Sequence, residues 1–334
     1  MRIRFSSTVL TLAGILSVGS DVRAQGSVSL TPLRDTSIYE DHPTRSAGMG
    51  QTIFAGNNQT GWTRRALVAF DVAGAIPPGA TILSATLTME MLRTQALSQA
   101  VDLQRVTSDW GQGTSGTGAR FPGGGRAAEV DDATWLNRFA CDQSLTGTMS
   151  VGIASTNVTG TGTLFTTELS VGDLFCIGGE GFGVMQITND TTMQVETAAV
   201  VNHVNDPGLL TTNTWTTAGG DFAPGVSAST AVAGVGSYNW SSAGMVSDVQ
   251  AWLDDPASNF GWIVRSDESA IPGAKAFAGL ENPSATVRPT LVIEFAGSAV
   301  PTLPEWGSIL FVTLLLGTGS LILHRRQQAG REPA

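Results

Sequence analysis

Apolar and polar residues alternate along short runs of this chain, and a period of two commits those runs to β-strands. In Ala85-Thr86-Leu87-Thr88-Met89-Glu90-Met91 every second side chain is apolar, so an extended backbone shows one apolar face and one wet face. Val101-Asp102-Leu103-Gln104 alternates too, as does Leu291-Val292-Ile293-Glu294-Phe295, with Val292 on the wetter face; Ala66-Leu67-Val68-Ala69-Phe70 reads as a more buried strand. Turn residues punctuate the runs: Pro77-Pro78-Gly79 separates two strands and Gly123-Gly124-Gly125 marks an exposed loop. Glycine is 40 of 334 residues and charged residues are only 14%, against about 25% in an average soluble domain. Many short strands and turns suit that composition, and 42% hydrophobic residues supply a sizeable core. One segment has a helical period: Val246, Val249, Trp252 and Leu253 share a face, Ser241 or Ser242 can cap its start, and Pro256 ends it. The expected class is all-β, a sandwich carrying one short helix.

Charge and rare residues narrow the function classes. A net charge of −10 argues against a nucleic-acid partner, which needs a basic face to neutralise phosphates. The three histidines, His42, His203 and His324, are scattered, which speaks against a zinc site or a histidine-based triad. Gly111-Gln112-Gly113-Thr114-Ser115-Gly116 matches a dinucleotide fingerprint in spacing, but more Gly and Pro follow where a helix is needed, so it reads as a loop. Two cysteines, Cys141 and Cys176, form no C-x-x-C pair. They are either one disulfide, permitted by export, or two unpaired small hydrophobes; we expect pairing after export.

Both ends read as addresses. Arg2 and Arg4 precede an apolar stretch at 9–18, and Val22-Arg23-Ala24 offers the small residues a signal peptidase needs. This predicts a secretory signal peptide over 1–24, with a buried first strand as the alternative. Near the other end, 306–323 carry no charge; a helix there spans about 27 Å at 1.5 Å per residue, enough for a bilayer core. His324, Arg325 and Arg326 follow and should stay cytoplasmic, placing the rest of the chain outside.

Two resemblances rest on these residues. Pro301-Thr302-Leu303-Pro304-Glu305-Trp306, an apolar stretch and then Arg325-Arg326 resembles the IPTL-CTERM sorting signal of the PEP-CTERM class, with Val300 where that signal has Ile. The resemblance implies recognition by an exosortase, cleavage near the motif, and a passage through the inner membrane to the cell surface or matrix. In the body, Arg64-Arg65-Ala66-Leu67-Val68-Ala69-Phe70-Asp71 precedes Ile76-Pro77-Pro78-Gly79-Ala80-Thr81 and Ser84-Ala85-Thr86-Leu87. Arg105-Val106-Thr107-Ser108-Asp109-Trp110, Ala133-Thr134-Trp135-Leu136, Asp248-Val249-Gln250-Ala251-Trp252, Asn259-Phe260-Gly261-Trp262 and Arg288-Pro289-Thr290-Leu291 follow in that order. The series resembles a DNRLRE domain, similar to carbohydrate-binding module family 96, which implies a β-jelly roll without catalysis of its own. The expected organisation is a signal peptide at 1–24, a jelly roll split over 25–139 and 215–299, a small inserted β-module at 140–214, and the sorting signal with a transmembrane helix at 300–328.

Candidate ligand residues are aromatic, because indole and phenol rings stack on the C–H faces of sugars. Trp62, Trp215, Tyr238 and Trp240 lie in Gly/Ser/Thr-rich contexts and are the candidates; Trp110 and Trp135 belong to the family pattern, and Trp252 and Trp262 fall in apolar patterns that read as core. No cofactor is required by this reading. Asp35, with Asp71 as a weaker second, is the candidate for a structural calcium, although no compact ligand loop accompanies them. The expected protein is an exported, non-enzymatic surface or matrix protein that binds extracellular polysaccharide. The alternatives are a polysaccharide-degrading lyase or hydrolase, and a purely structural matrix or adhesion protein.

Overall fold

Alternation becomes burial in the computed structural model, which describes residues 25–297. The strands run β1 (Gln25–Leu30), β2 (Arg34–Tyr39), β3 (Arg45–Ser46), β4 (Thr52–Asn57), β5 (Thr63–Ala69), β6 (Thr81–Thr94), β7 (Gln99–Val106), β8 (Arg126–Ala127) and β9 (Asn137–Phe139). In β6, Ala85, Leu87, Met89 and Met91 are fully buried while their neighbours are not. Further strands follow: β10 (Gln143–Val151), β11 (Asn157–Thr161), β12 (Leu174–Ile177), β13 (Glu180–Asn189), β14 (Thr192–Val195) and β15 (His203–Leu210), with the single turn α1 (Phe165–Glu168). The chain ends in β16 (Asn213–Thr214), β17 (Phe222–Val232), β18 (Gly236–Ser241), α2 (Ala243–Asp254), β19 (Trp262–Ser266), β20 (Lys275–Ala278) and β21 (Thr290–Ala296).

The architecture is predominantly β, with curled antiparallel layers. In one layer β6 pairs β18 along one edge and β21, then β20, along the other, and β1 extends beyond β21. The second layer runs β17, β7, β19, β5, β2. Strand β4 joins the two: it pairs β20, and its last two residues pair β5. Leu87, Met89, Phe277, Leu291 and Ile293 from the first layer meet Val68, Leu103, Trp262 and Val264 from the second. Each such side chain contributes about 1.5–3 kcal/mol on full burial. Helix α2 starts where Ser242 Oγ accepts from the Met245 amide at 3.1 Å. It buries Met245, Val249, Trp252 and Leu253 against β6 and β17.

Residues of the 140–214 segment close a separate six-stranded barrel in the order β10, β11, β14, β13, β12, β15. Its own core includes Met149, Val158, Phe165, Phe175 and Phe182. A disulfide joins Cys141 to Cys176 with Cα atoms 5.5 Å apart. Both cysteines pack on Ala128 and Ala140, where the barrel meets the body. The barrel's entry and exit run side by side, since Asn213 pairs Phe139 between β16 and β9.

The signal-peptide, sorting-signal and membrane-helix readings fall on 1–24 and 300–328, outside the described residues. Among the described residues no helix is long and apolar enough to cross a membrane.

Candidate functional site

Three hairpins and loops meet at a cleft of about 160 Å³ lined by Phe54, Asn58, Arg64, Arg93, Gln95 and Phe121. Its floor is strand; its walls are the β4–β5 turn, the β6–β7 turn and the segment 119–125. That segment is pinned rather than loose. Gln51 N donates to Ala119 O at 2.9 Å, Thr52 Oγ1 to Arg120 O at 2.7 Å, Tyr39 Oη to Pro122 O at 2.6 Å, and Arg64 Nε to Gly123 O at 3.0 Å. Burial pushes the Tyr39 phenol well up from its usual range, so it remains a donor. Gly125 has φ +66° and a Cβ there would meet the Tyr39 ring at 2.8 Å, so only glycine fits. The expected exposed loop at Gly123-Gly124-Gly125 is therefore packed at its last residue. Opposite, Lys275 is buried with its ammonium donating to Thr94 Oγ1, Ala96 O and Leu97 O at 3.0, 3.2 and 2.7 Å, which fixes the tip of the β6–β7 turn. Burial lowers the pKa of that ammonium.

The electrostatics of this cleft oppose those of the whole chain. Arg93 and Arg120 are exposed, and their guanidiniums stand over the Phe121 ring at 5.8 and 5.3 Å from its centroid. Ion pairs among the described residues engage Arg34, Arg64, Arg65, Arg105 and Arg265, leaving Arg93 and Arg120 outside them. By contrast, the arginine in the cleft at Thr107, Asp221 and Phe222 is Arg65, already held by Glu268 and the Gly219 carbonyl.

The four aromatic candidates separate. Trp62 is 47% exposed. Its carbonyl accepts from Asn58 N and Arg64 Nη1, both at 2.9 Å, which ties its backbone to two residues that line the cleft. Trp215 and Trp240 are corrected: neither offers a face to a ligand. Trp215 is buried and donates to Thr134 O at 2.8 Å; Trp240 is fully buried in β18, donates to Val101 O at 2.7 Å and meets Phe277 edge-on at 5.9 Å. The signal missed at Trp240 was Ser237-Tyr238-Asn239-Trp240-Ser241, a period of two whose aromatics both turn inward. Tyr238 is half-buried, with its hydroxyl held by Gly234 O and Ala233 N in the turn between β17 and β18. Arg93, Arg120 and Phe121 were not singled out from sequence; no local motif marks them.

The acidic candidates also separate. Asp71 is exposed and accepts from the Gly74 amide at 2.9 Å. Asp35 is fully buried beside Glu281. Burial, and then the Glu281 charge, raise its pKa well above the usual carboxylate range, and burial also raises Glu281. Asp35 Oδ1 and Glu281 Oε2 are buried without hydrogen-bond partners, while Asp35 Oδ2 accepts from Leu280 N at 2.7 Å. Two free oxygens fall short of the six to eight that calcium takes, and no group of three or more metal-ligating side chains forms among the described residues. These side chains alone do not make up a calcium set, and burial favours the protonated form of both carboxyls.

No family model matches the chain, and neither does any curated protein.

Proposed function

We propose that this is an exported, non-catalytic protein of the cell surface or extracellular matrix, whose split jelly roll of the DNRLRE type binds an anionic polysaccharide. Exosortase processing of its tail belongs to the same reading. The observation that carries the binding is that Arg93 and Arg120, both exposed, stand over the half-buried Phe121 ring with no carboxylate among the described residues in ion-pair contact with either guanidinium. A sugar carboxylate or sulfate matches the forked donors of arginine, and the Phe121 ring holds the two guanidiniums in place. Pinning of 119–125 means little ordering entropy is lost on binding. Trp62, in the β4–β5 turn, offers an exposed ring for a C–H face. The local excess of cations answers the net charge of −10, which taken alone disfavours an anionic ligand.

The test is titration calorimetry against polygalacturonate and a neutral glucan. Wild type should bind the anionic polymer, and the Arg93→Gln/Arg120→Gln double variant should lose most of that affinity. Equal binding by wild type and variant refutes the site. Release of new reducing ends or unsaturated sugar ends from the polymer favours the enzyme reading instead.

A further inference from the structure

We infer that the wide cleft between the inserted barrel and the body is a second subsite for the same anionic chain, so that the barrel is part of the recognition surface. This rests on the polysaccharide reading of the first cleft. The second cleft has a volume of about 740 Å³ and is walled by Arg45, Arg126 and Glu129 from the body and by Glu180, Val201 and His203 from the barrel. Arg45 and Arg126 are exposed and stand outside the ion pairs of the described residues. The carboxylates that face them are already engaged. Glu180 takes His203 Nε2 at 2.9 Å and Val200 N at 2.8 Å, Asp206 takes His203 Nδ1 at 3.0 Å, and Glu129 accepts from Thr114 Oγ1. The carboxylates keep their charge, so what the cleft offers an anion is the pair Arg45 and Arg126, which have no ion-pair partner among the described residues.

One segment of chain borders both clefts. Residues 120–127 leave the first at Phe121 and reach the second at Arg126 and Ala127. Fully extended, that stretch covers at most ~25 Å, so an oligosaccharide can reach from one cleft to the other. Tyr39 lies beneath it, and Arg64 of the first cleft and Arg126 of the second both act on its phenol. The far wall is also held in place. Cys176, bonded to Cys141, packs on Ala128, which directly follows the β8 strand that carries Arg126. A polymer crossing both clefts therefore meets Arg93 and Arg120, then Arg126 and Arg45, on a fixed surface.

The experiment is a length series with the exported chain: galacturonate disaccharide, tetrasaccharide and octasaccharide. Arg45→Gln/Arg126→Gln should leave the disaccharide dissociation constant unchanged and weaken the octasaccharide by roughly tenfold or more, with a shallower salt dependence. Val201→Glu, which puts a negative charge on an exposed wall position, should act in the same direction. If wild type gains nothing with length, or both variants bind the octasaccharide as wild type does while Arg93→Gln/Arg120→Gln still abolishes binding, the first cleft stands and the second subsite falls. If wild type binds no member of the series, the reading of the first cleft falls and takes the second with it.

Discussion

Asp132 should make the fold lose stability as pH rises through neutrality. Its Oδ2 accepts from the Glu129 amide at 2.6 Å, and its Oδ1 is buried without a partner. A Cβ on Gly113 would stand 2.0 Å from that Oδ1, so the site has no room for a solvating water on that side. Burial, with a smaller push from the Glu129 carboxylate, holds the Asp132 carboxyl up at about 7 against 3.8 for a free side chain, while the Glu129 amide and the nearby Ser115 pull it down. A proton bound at about 7 in the folded state and 3.8 in the unfolded chain is worth about 4 kcal/mol. The sign follows from the native state holding the proton more tightly. The stabilisation is complete below 3.8 and disappears as pH climbs through 7. Asp132→Asn is neutral at every pH and keeps the acceptor for the Glu129 amide. Urea denaturation of the chain spanning 25–297 should therefore show wild type and variant separated by a small offset that levels off only at about pH 3 and below. The variant should gain about 4 kcal/mol on wild type by about pH 8.5. The difference between the two curves removes every other titrating group, including Glu268, which Arg65 and Arg265 hold down at about 2. A difference that stays flat within about 1 kcal/mol across this window refutes the burial argument.

Lys275→Met strips the ammonium from three acceptors in the β6–β7 turn and should cost about 3 kcal/mol, read as a lower melting temperature with faster amide exchange at 95–98; an unchanged melt counts against it. Cys141→Ala/Cys176→Ala opens a bond spanning 35 residues and should cost ~3–4 kcal/mol on the chain-entropy estimate, whereas two free thiols in denatured exported protein would show that no bond forms. Joining Phe139 to Thr214 should leave a soluble β protein by circular dichroism, because β9 and β16 already lie paired at that point; a disordered product would mean the barrel completes the core. Pro301→Ala/Glu305→Ala should insert normally yet accumulate uncleaved in the inner membrane; normal loss of the tail would leave only an anchor.

Local pattern determined much of this protein. The strands at 81–94 and 290–296 follow from their own alternation, since the period of side chains along a strand depends only on backbone geometry. Helix α2 and its Ser242 cap, and the core placement of Trp252 and Trp262, follow from spacing and from the capping chemistry of one hydroxyl. The flanking Gly, Ser and Thr that made Trp215 and Trp240 look like loop residues mislead because composition is blind to which neighbour covers a ring. Trp240 is buried by Val101 and Phe277, residues far away in the chain. Only the tertiary structure could decide that. It alone sets Arg93 on the Phe121 ring, brings Asp35 against Glu281, and lays the barrel beside Arg126. Each of these depends on which strands pair across long stretches of chain and on how completely water is excluded between them. The same exclusion fixes the charge state of Asp132. Desolvation is a collective property of everything packed around a group, and no local string of residues encodes it.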